Sequence, residues 1–466
     1  MPGPSSLSGS SMGRQSPDLA VSGRSGLFAL GTVLIVAAAL GGGGQRYGLA
    51  NLAVQLTALA ALALHPAAFA AFRTSAPLAL RALAGLSLLL PLLQLVPLPP
   101  AIWTALPGRD LVVQSLEAAG MAGWMPFSLD PHRTLLALTA LVTPLAVLAA
   151  GWTLRREQIA MLGWLVVALG ILNLLIGAVQ VSSPGGRASL FDEVLPEEVL
   201  LGTFANRNST ALFLVGALGF AALVPAPWAR RAELALRVGL CALLLLAIIL
   251  TRSRTGLVLA LVPLGLAALR ALSWSASRGP ARGSGRARPR SLALTAGAAA
   301  VAAALFAGLL VLAPGRVADT VERFGALDRD ARSYIWEDAA YSSSRYWPLG
   351  AGMGTFDEVF QIDESLENMT VRRAGRAHND YLEIAIEAGL PGLVLVAAWL
   401  LLVGWLSWQA RRSRWRWTGW AGASFLVCIA LQSITDYPLR NQTILAAAGL
   451  ALLALARTAQ APGERA

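Results

Sequence analysis

Residues 233–272 read E-L-A-L-R-V-G-L-C-A-L-L-L-L-A-I-I-L-T-R-S-R-T-G-L-V-L-A-L-V-P-L-G-L-A-A-L-R-A-L. Two apolar runs, 233–251 and 255–272, meet at a short R-S-R-T junction. Each is long enough to cross the hydrocarbon of a bilayer, which takes about 20 mostly apolar residues as a helix. In lipid every backbone N–H and C=O needs an internal partner, so runs of this kind must be helices. The junction calls for a sharp hairpin or a break within the helices. The stretch therefore sets the fold class: all-α, polytopic and membrane-embedded.

The whole chain agrees. Of its 466 residues, 56% are hydrophobic and only 14% charged, against about 25% charged in an average soluble domain. Twelve segments qualify as candidate spans, near 25–43, 48–70, 78–96, 134–152, 158–180, 210–228, 233–251, 255–272, 291–313, 383–408, 419–435 and 440–457. The expected organisation is a flexible cytoplasmic tail over 1–26, an N-terminal membrane bundle over 27–200, a second membrane region over 201–457, and a short tail over 458–466. The first run could pass for a signal peptide, but the spans that follow make an uncleaved first span the better reading.

Charge sets the orientation. All 37 basic residues are arginine, and the net charge is +11. With the N-terminus inside, the twelve-span layout puts 21 arginines and 4 acids on the inner side, and 16 arginines and 22 acids outside. That obeys the positive-inside rule and makes both ends cytoplasmic. The basic segment 273–290 reads as a topology determinant near anionic lipid, not as a nucleic-acid site. Cys241 and Cys428 sit in apolar runs and read as packing residues.

Three outer loops are long. Pro97–Arg133 is rich in proline and tryptophan, as for a piece lying on the membrane surface. Val181–Ser209 contains D-E-V-L-P-E-E and then G-T-F-A-N-R-N. Pro314–Tyr381 is the longest and should hold short helices of its own. One of them is expected over Asp330–Ser342, with Ile335, Trp336, Ala339 and Ala340 near one face.

The residues that could carry chemistry gather at outer span ends. Arg252 and Arg254 stand where positive charge is disfavoured; their alternatives are snorkelling or pairing with loop acids. Arginine forks bind phosphate bidentately and keep their charge. A lipid-borne diphosphate would need such a cradle at the membrane edge, and more so as a leaving group. His378 can accept a hydroxyl proton near neutral pH; its alternative is a plain helix-start residue beside the N-cap formers Asn379 and Asp380. His65 and His132 read as structural. Asp328-Arg329-Asp330 resembles the D-x-D of metal-dependent glycosyltransferases, but three residues in an acid-rich loop make no convincing metal site. The chain has no G-x-x-x-x-G-K-[ST] loop and no nucleophile elbow, so neither ATP hydrolysis nor a serine hydrolase is indicated.

Four groups of residues then stand out together: G-T-F-A-N-R-N (202–208), L-T-R-S-R-T-G (250–256), R-S-Y-I-W (332–336) with P-L-G-A-G-M-G-T-F (348–356), and A-H-N-D-Y-L (377–382). In this order, at outer span ends, they resemble the O-antigen ligase and polymerase family over roughly residues 200–440; the first five spans match only in general character. The resemblance implies an inverting, metal-independent glycosyltransferase without cofactor. It would move a glycan from undecaprenyl diphosphate to an acceptor hydroxyl at the periplasmic face of the bacterial inner membrane. His378 would be the base, and Arg252 or Arg254 (Arg254 favoured) with Arg332 would hold the diphosphate. Asn206 and Asn208 would line the donor site, and Asn379 and Asp380 would orient the histidine loop. The implied acceptor is lipid A–core for a ligase, ranked ahead of another repeat unit for a polymerase. A transporter or flippase of lipid-linked glycans is the alternative from another class. It would place its ionisable residues near mid-membrane, within broken helices.

Overall fold

The structure, a computed structural model, describes residues 17–277 and 332–460 apart from 45, 122, 184–189, 192–198, 228–229, 368 and 370–372. The expected span 291–313, most of the basic segment 273–290, the D-E-V-L-P-E-E stretch and Asp328 to Asp330 lie outside the described residues.

The described residues are helical almost throughout. The helices are α1 (Pro17–Leu40), α2 (Gly48–Ala63), α3 (Pro66–Ser75), α4 (Leu78–Gln94), α5 (Pro100–Trp103), α6 (Asp110–Ala118), α7 (Pro131–Ala140), α8 (Val142–Ala150), α9 (Arg156–Ser182), α10 (Arg207–Leu223), α11 (Arg230–Leu250) and α12 (Arg254–Ser277). After the undescribed segment come α13 (Arg332–Arg345), α14 (Phe356–Asp363), α15 (Asp380–Ala410), α16 (Arg416–Gln432) and α17 (Gln442–Ala459). The strands are a two-residue antiparallel pair, Pro97–Leu98 with Met125–Pro126. α1 begins at Pro17, inside the segment expected to be a tail.

Among the described residues, seven helical segments are long and apolar enough to cross a membrane, or eight if the bent pair α2–α3 counts as one span. The protein is thus an all-α polytopic membrane protein, but the expected twelve spans are not all found. The reasons are local. The segment 48–70 is not one rod: it bends by 80° between α2 and α3, where Pro66 supplies no N–H and restricts His65. α4, α10 and α16 are each 17 residues long, which at about 1.5 Å per residue falls short of a hydrocarbon core of about 30 Å. The remaining expected span is the undescribed 291–313.

α10 is the central post, with Ser209 to Leu223 buried throughout. It packs against α9, α11, α12 and α16, while α17 packs against α16, α8, α15 and α9. Backbones approach closely at Gly422 of α16, where a Cβ would lie 2.2 Å from the Ala451 carbonyl oxygen. Membrane helices use small residues for such approaches.

The outer segments do not lie as separate pieces. Arg109, fully buried, ties the 97–133 loop to α13. Its guanidinium faces the rings of Trp103, Phe127 and Tyr346 at 5.8, 5.5 and 5.9 Å and donates to the Phe127 carbonyl at 2.7 Å. Burial pulls its pKa down to about 10, with Tyr346 opposing. α13 covers the expected helix, but the buried face differs from the expected one. Ala339 is buried and Ile335 and Trp336 are half-buried, whereas Ala340 faces outward and Asp338 inward.

α15 has a break at Gly389, where φ is 55° and ψ −144°. The break exposes carbonyls that an unbroken helix would use, and the glycine-rich segment 348–354 takes them. Ala351 N donates to Ile386 O at 2.8 Å and Gly352 N to Glu387 O at 2.9 Å, while Leu390 N donates to Pro348 O at 2.9 Å. A Cβ on Gly389 would lie 2.1 Å from the Pro348 oxygen. The outer loop is therefore stitched to the broken helix beside the histidine loop.

Candidate functional site

The site is built where helices begin. Asn206 caps α10, its Oδ1 accepting from Asn208 N at 2.8 Å. Ser253 caps α12, its hydroxyl accepting from Gly256 N at 3.1 Å. Asn379 caps α15, accepting from Leu382 N at 3.1 Å. Asn441 caps α17, accepting from Thr443 N at 3.1 Å and Ile444 N at 3.2 Å. The starts of helices carry partial positive charge, so these beginnings favour an anion nearby.

Side chains link these starts. His378 Nδ1 lies 3.4 Å from Asp436 Oδ1, and Asn206 Nδ2 donates to Asp436 Oδ2 at 3.5 Å. The His378 and Tyr437 rings meet edge-on, 5.0 Å between centroids. Burial first, then the Asp436 carboxylate, pushes the Tyr437 phenol up to about 12, although it shares a hydrogen bond with Asn206. Thr255 Oγ1 is 3.5 Å from Thr435 Oγ1. The R-S-R-T-G junction therefore adjoins the segment that holds His378. Asn208 knits the same region: its Oδ1 accepts from the Ser253 hydroxyl at 2.8 Å and its carbonyl from Gln432 Nε2 at 3.0 Å.

Two residues here are conformationally unusual. Among the described residues, only His378 and Arg252 are non-glycine residues with positive φ, at 52° and 55°. Such a backbone costs on the order of 1–3 kcal/mol in a bulky residue and persists where the surroundings enforce it, commonly at functional sites. Around His378 the enforcement is visible. The preceding Ala377 is held on both sides, its N–H donating to Glu383 Oε1 at 3.0 Å and its carbonyl accepting from the Trp336 indole at 2.8 Å.

Below the histidine loop lies a closed ionic cluster. Asp380, Glu383 and Glu387 share one face of α15 and are buried. Arg440, from the short 3-10 turn Pro438–Arg440, donates through Nη2 to Glu383 Oε2 at 3.0 Å and Glu387 Oε2 at 2.8 Å. Its Nε stands 4.0 Å from Asp380 Oδ1. Arg376 adds a bond to Glu383 Oε2 at 3.2 Å. Burial would lower the Arg440 pKa, but Glu387, Glu383 and Asp380 outweigh it and hold it above the ordinary value. Asp380 Oδ2 also accepts from the Ser433 hydroxyl at 2.9 Å and from Leu439 N at 3.3 Å. The cluster locks the 373–380 loop to the 433–441 loop.

Residue by residue, the structure brings His378, Asn206, Asn208 and the Arg252–Arg254 junction together. Arg252 and Arg254 are half-buried. Asn379 serves as a helix cap, and Asp380 faces Arg440 and Ser433, tying the start of α15 to the 433–441 loop. Arg332 opens α13, but its side chain lies outside the described residues. His65 is structural: its ring bonds to the Ala61 carbonyl at 2.8 Å and to the Ser25 hydroxyl at 3.2 Å. Asp436, Tyr437 and Arg440 were not singled out in the sequence. The available signal was a cluster of polar residues, T-D-Y-P-L-R-N-Q, squeezed between two apolar runs at an outer edge.

The model of the O-antigen ligase family matches residues 239–397. Over this stretch the chain is similar to the O-antigen ligase family. The match runs from α11 into α15 and takes in the R-S-R-T-G junction, α13 and His378. The asparagines at the start of α10 and the Asp436–Arg440 segment lie outside the matched stretch, and the fold brings them to the same place. No curated protein matches the chain. The match, with the apolar helices, supports a membrane-integral enzyme of the O-antigen ligase and polymerase kind, a kind that implies a lipid-linked glycan and a glycan acceptor.

Proposed function

We propose that this protein is an inverting, metal-independent glycosyltransferase of the inner membrane with its reaction site facing the periplasm. It moves a glycan from undecaprenyl diphosphate to an acceptor hydroxyl, with lipid A–core favoured over a second repeat unit. The observation that carries this reading is the His378–Asp436 pair beside the Arg252–Arg254 junction. With the Nδ1 proton directed at the carboxylate, Nε2 keeps a lone pair for a substrate hydroxyl. The acceptor oxygen attacks the anomeric carbon from the side opposite the carrier, its proton passes to His378 Nε2, and the bond to the diphosphate oxygen breaks. The diphosphate leaves on its lipid, toward the arginine forks of Arg252 and Arg254 and the helix starts of α10 and α12, with Arg332 assigned to the same role by the family resemblance alone. Charge grows on that leaving group, so fixed cations there lower the barrier.

The membrane side supports a lipid-borne substrate. A cavity of about 870 Å³ lies between α2, α4, α7–α8, α15, α16 and α17. Its walls are almost wholly apolar, and it ends at Asp380, Ser433 and Arg440 under the histidine loop. We take the twelve-span layout, with 291–313 as its ninth span, as the frame that leaves this end facing out.

The test offers purified protein an undecaprenyl-diphosphate glycan with lipid A–core and with free repeat-unit glycan, then identifies the product. Transfer to lipid A–core with release of undecaprenyl diphosphate is the expected result, unaffected by chelator. Extension of the repeat unit alone would make the enzyme a polymerase. Movement of the glycan across a vesicle with no new glycosidic bond would make it a transporter and end the transferase reading.

A further inference from the structure

One surface near the site is left unused by this chemistry. On α13, Tyr334 and Tyr341 are 53% and 63% exposed, and Glu337 between them is exposed too. Spacings of three and four residues put all three on one stripe. The two tyrosines stand about 10 Å apart along the axis, at about 1.5 Å per residue. The remainder of the helix is anchored. Ala339 and Ser342 are fully buried, and Asp338 accepts from the Ser365 N–H and hydroxyl, each at 3.1 Å. Trp336 bonds to Ala377, the residue before His378. At about 100° per residue, the stripe lies roughly a third of a turn round the helix from Trp336. It starts at the level of the histidine loop and leads away from it.

Its chemistry selects a ligand. A carboxylate between two rings is out of place in lipid, and glutamate is depleted at the cores of protein interfaces. A sugar ring offers both complements. Its C–H face carries partial positive charge and lies well on the negative face of an aromatic ring. Its hydroxyls donate to a carboxylate in charge-assisted bonds. We infer that Tyr334, Glu337 and Tyr341 form a glycan-binding track that holds a sugar chain leading into the His378 site. Its purpose rests on the transferase reading, but binding of a glycan does not require transfer.

The experiment uses the full-length protein in nanodiscs and two soluble probes from the source bacterium. One is the oligosaccharide released from its lipid-linked donor; the other is the oligosaccharide of its lipid A–core. Saturation-transfer NMR reads binding to the wild type and to Tyr334→Ala, Tyr341→Ala, the double variant and Glu337→Gln. The expected loss is about three- to tenfold per ring removed, the scale of one aromatic stacking contact, with Tyr341→Phe close to wild type. The probe whose binding responds identifies the track as donor-side or acceptor-side. Leucine replacements, which keep bulk without the ring, stand in where alanine lowers the melting temperature. Unchanged binding of both probes in the double variant overturns the track, as does a change there in oligomeric mass or in quenching by brominated lipid with no change in glycan binding. A protein that binds glycan through the stripe yet transfers nothing refutes the transferase reading alone. Normal transfer by the double variant at limiting substrate refutes the track alone.

Discussion

The two clusters on the 373–380 and 433–441 loops are built from similar residues to different tolerances. Around Arg440 the bonds to Glu383 and Glu387 are 3.0 and 2.8 Å, with Asp380 standing off at 4.0 Å, and the side chain keeps only 10% of its surface. Around His378 the contacts are 3.4 and 3.5 Å, and the imidazole keeps 32%. The first cluster fixes a shape. The second has slack and water access, which suits the proton transfer proposed for it. Catalytic hydrogen bonds in unliganded enzymes are commonly long and tighten when substrate binds. The closed cluster thus does the holding, so that the open one can stay loose.

Substitutions break this contrast from either side. Removing the base should have the largest effect: His378→Ala should lower transfer by about 10²–10⁴-fold while leaving membrane insertion and melting temperature intact. His378→Gly should be as inactive but melt higher, because glycine adopts the left-handed backbone without strain. A lower melting temperature for the glycine variant would mean the backbone there is not strained. On the closed side, Arg440→Met or Glu383→Ala leaves buried charge uncompensated and should destabilise the protein by about 3–5 kcal/mol, read as a large drop in thermal stability. If such variants melt like the wild type, the cluster holds nothing.

Smaller effects sharpen the contrast. Asp436→Asn should keep the fold and lower turnover about a hundredfold by unsettling the imidazole tautomer; wild-type turnover would remove Asp436 from the site. Arg254→Lys keeps charge but loses the fork, and should cost about tenfold at limiting donor. The smallest effect concerns pH. The Tyr437 phenol is raised to about 12 by burial and by Asp436, so the unfolded chain loses that proton first. Stability from this group is complete below about pH 10, the value for free tyrosine, and is lost as pH rises through 12. Tyr437→Phe should flatten that part of the alkaline stability profile.

Much of this was legible in the sequence, and for definable reasons. Hydropathy located the helices because lipid allows few alternatives. His378 and the R-S-R-T-G junction stood out because polar residues at the ends of apolar runs are scarce, whereas Asn206 was named only by the family resemblance. Other features depended on distance in the chain. Nothing in the order of residues says that Asp436 meets a histidine 58 positions earlier, or that Asp380 turns its back on its neighbour to join Arg440. The bend at His65-Pro66 was readable from the proline, yet the run on either side was apolar enough to pass for one span. The inward turn of Asp338 was not readable from α13 alone, because Ser365 and the Arg109 cage set how that helix docks.

The large apolar cavity has a practical consequence. One end is walled by Trp399 and Val403, and the other by the same Asp380, Ser433 and Arg440 that clamp the two loops together. Whatever hydrocarbon fills that space leans on the clamp from below. The choice of detergent or lipid for purification is thereby a choice about what presses on the histidine loop.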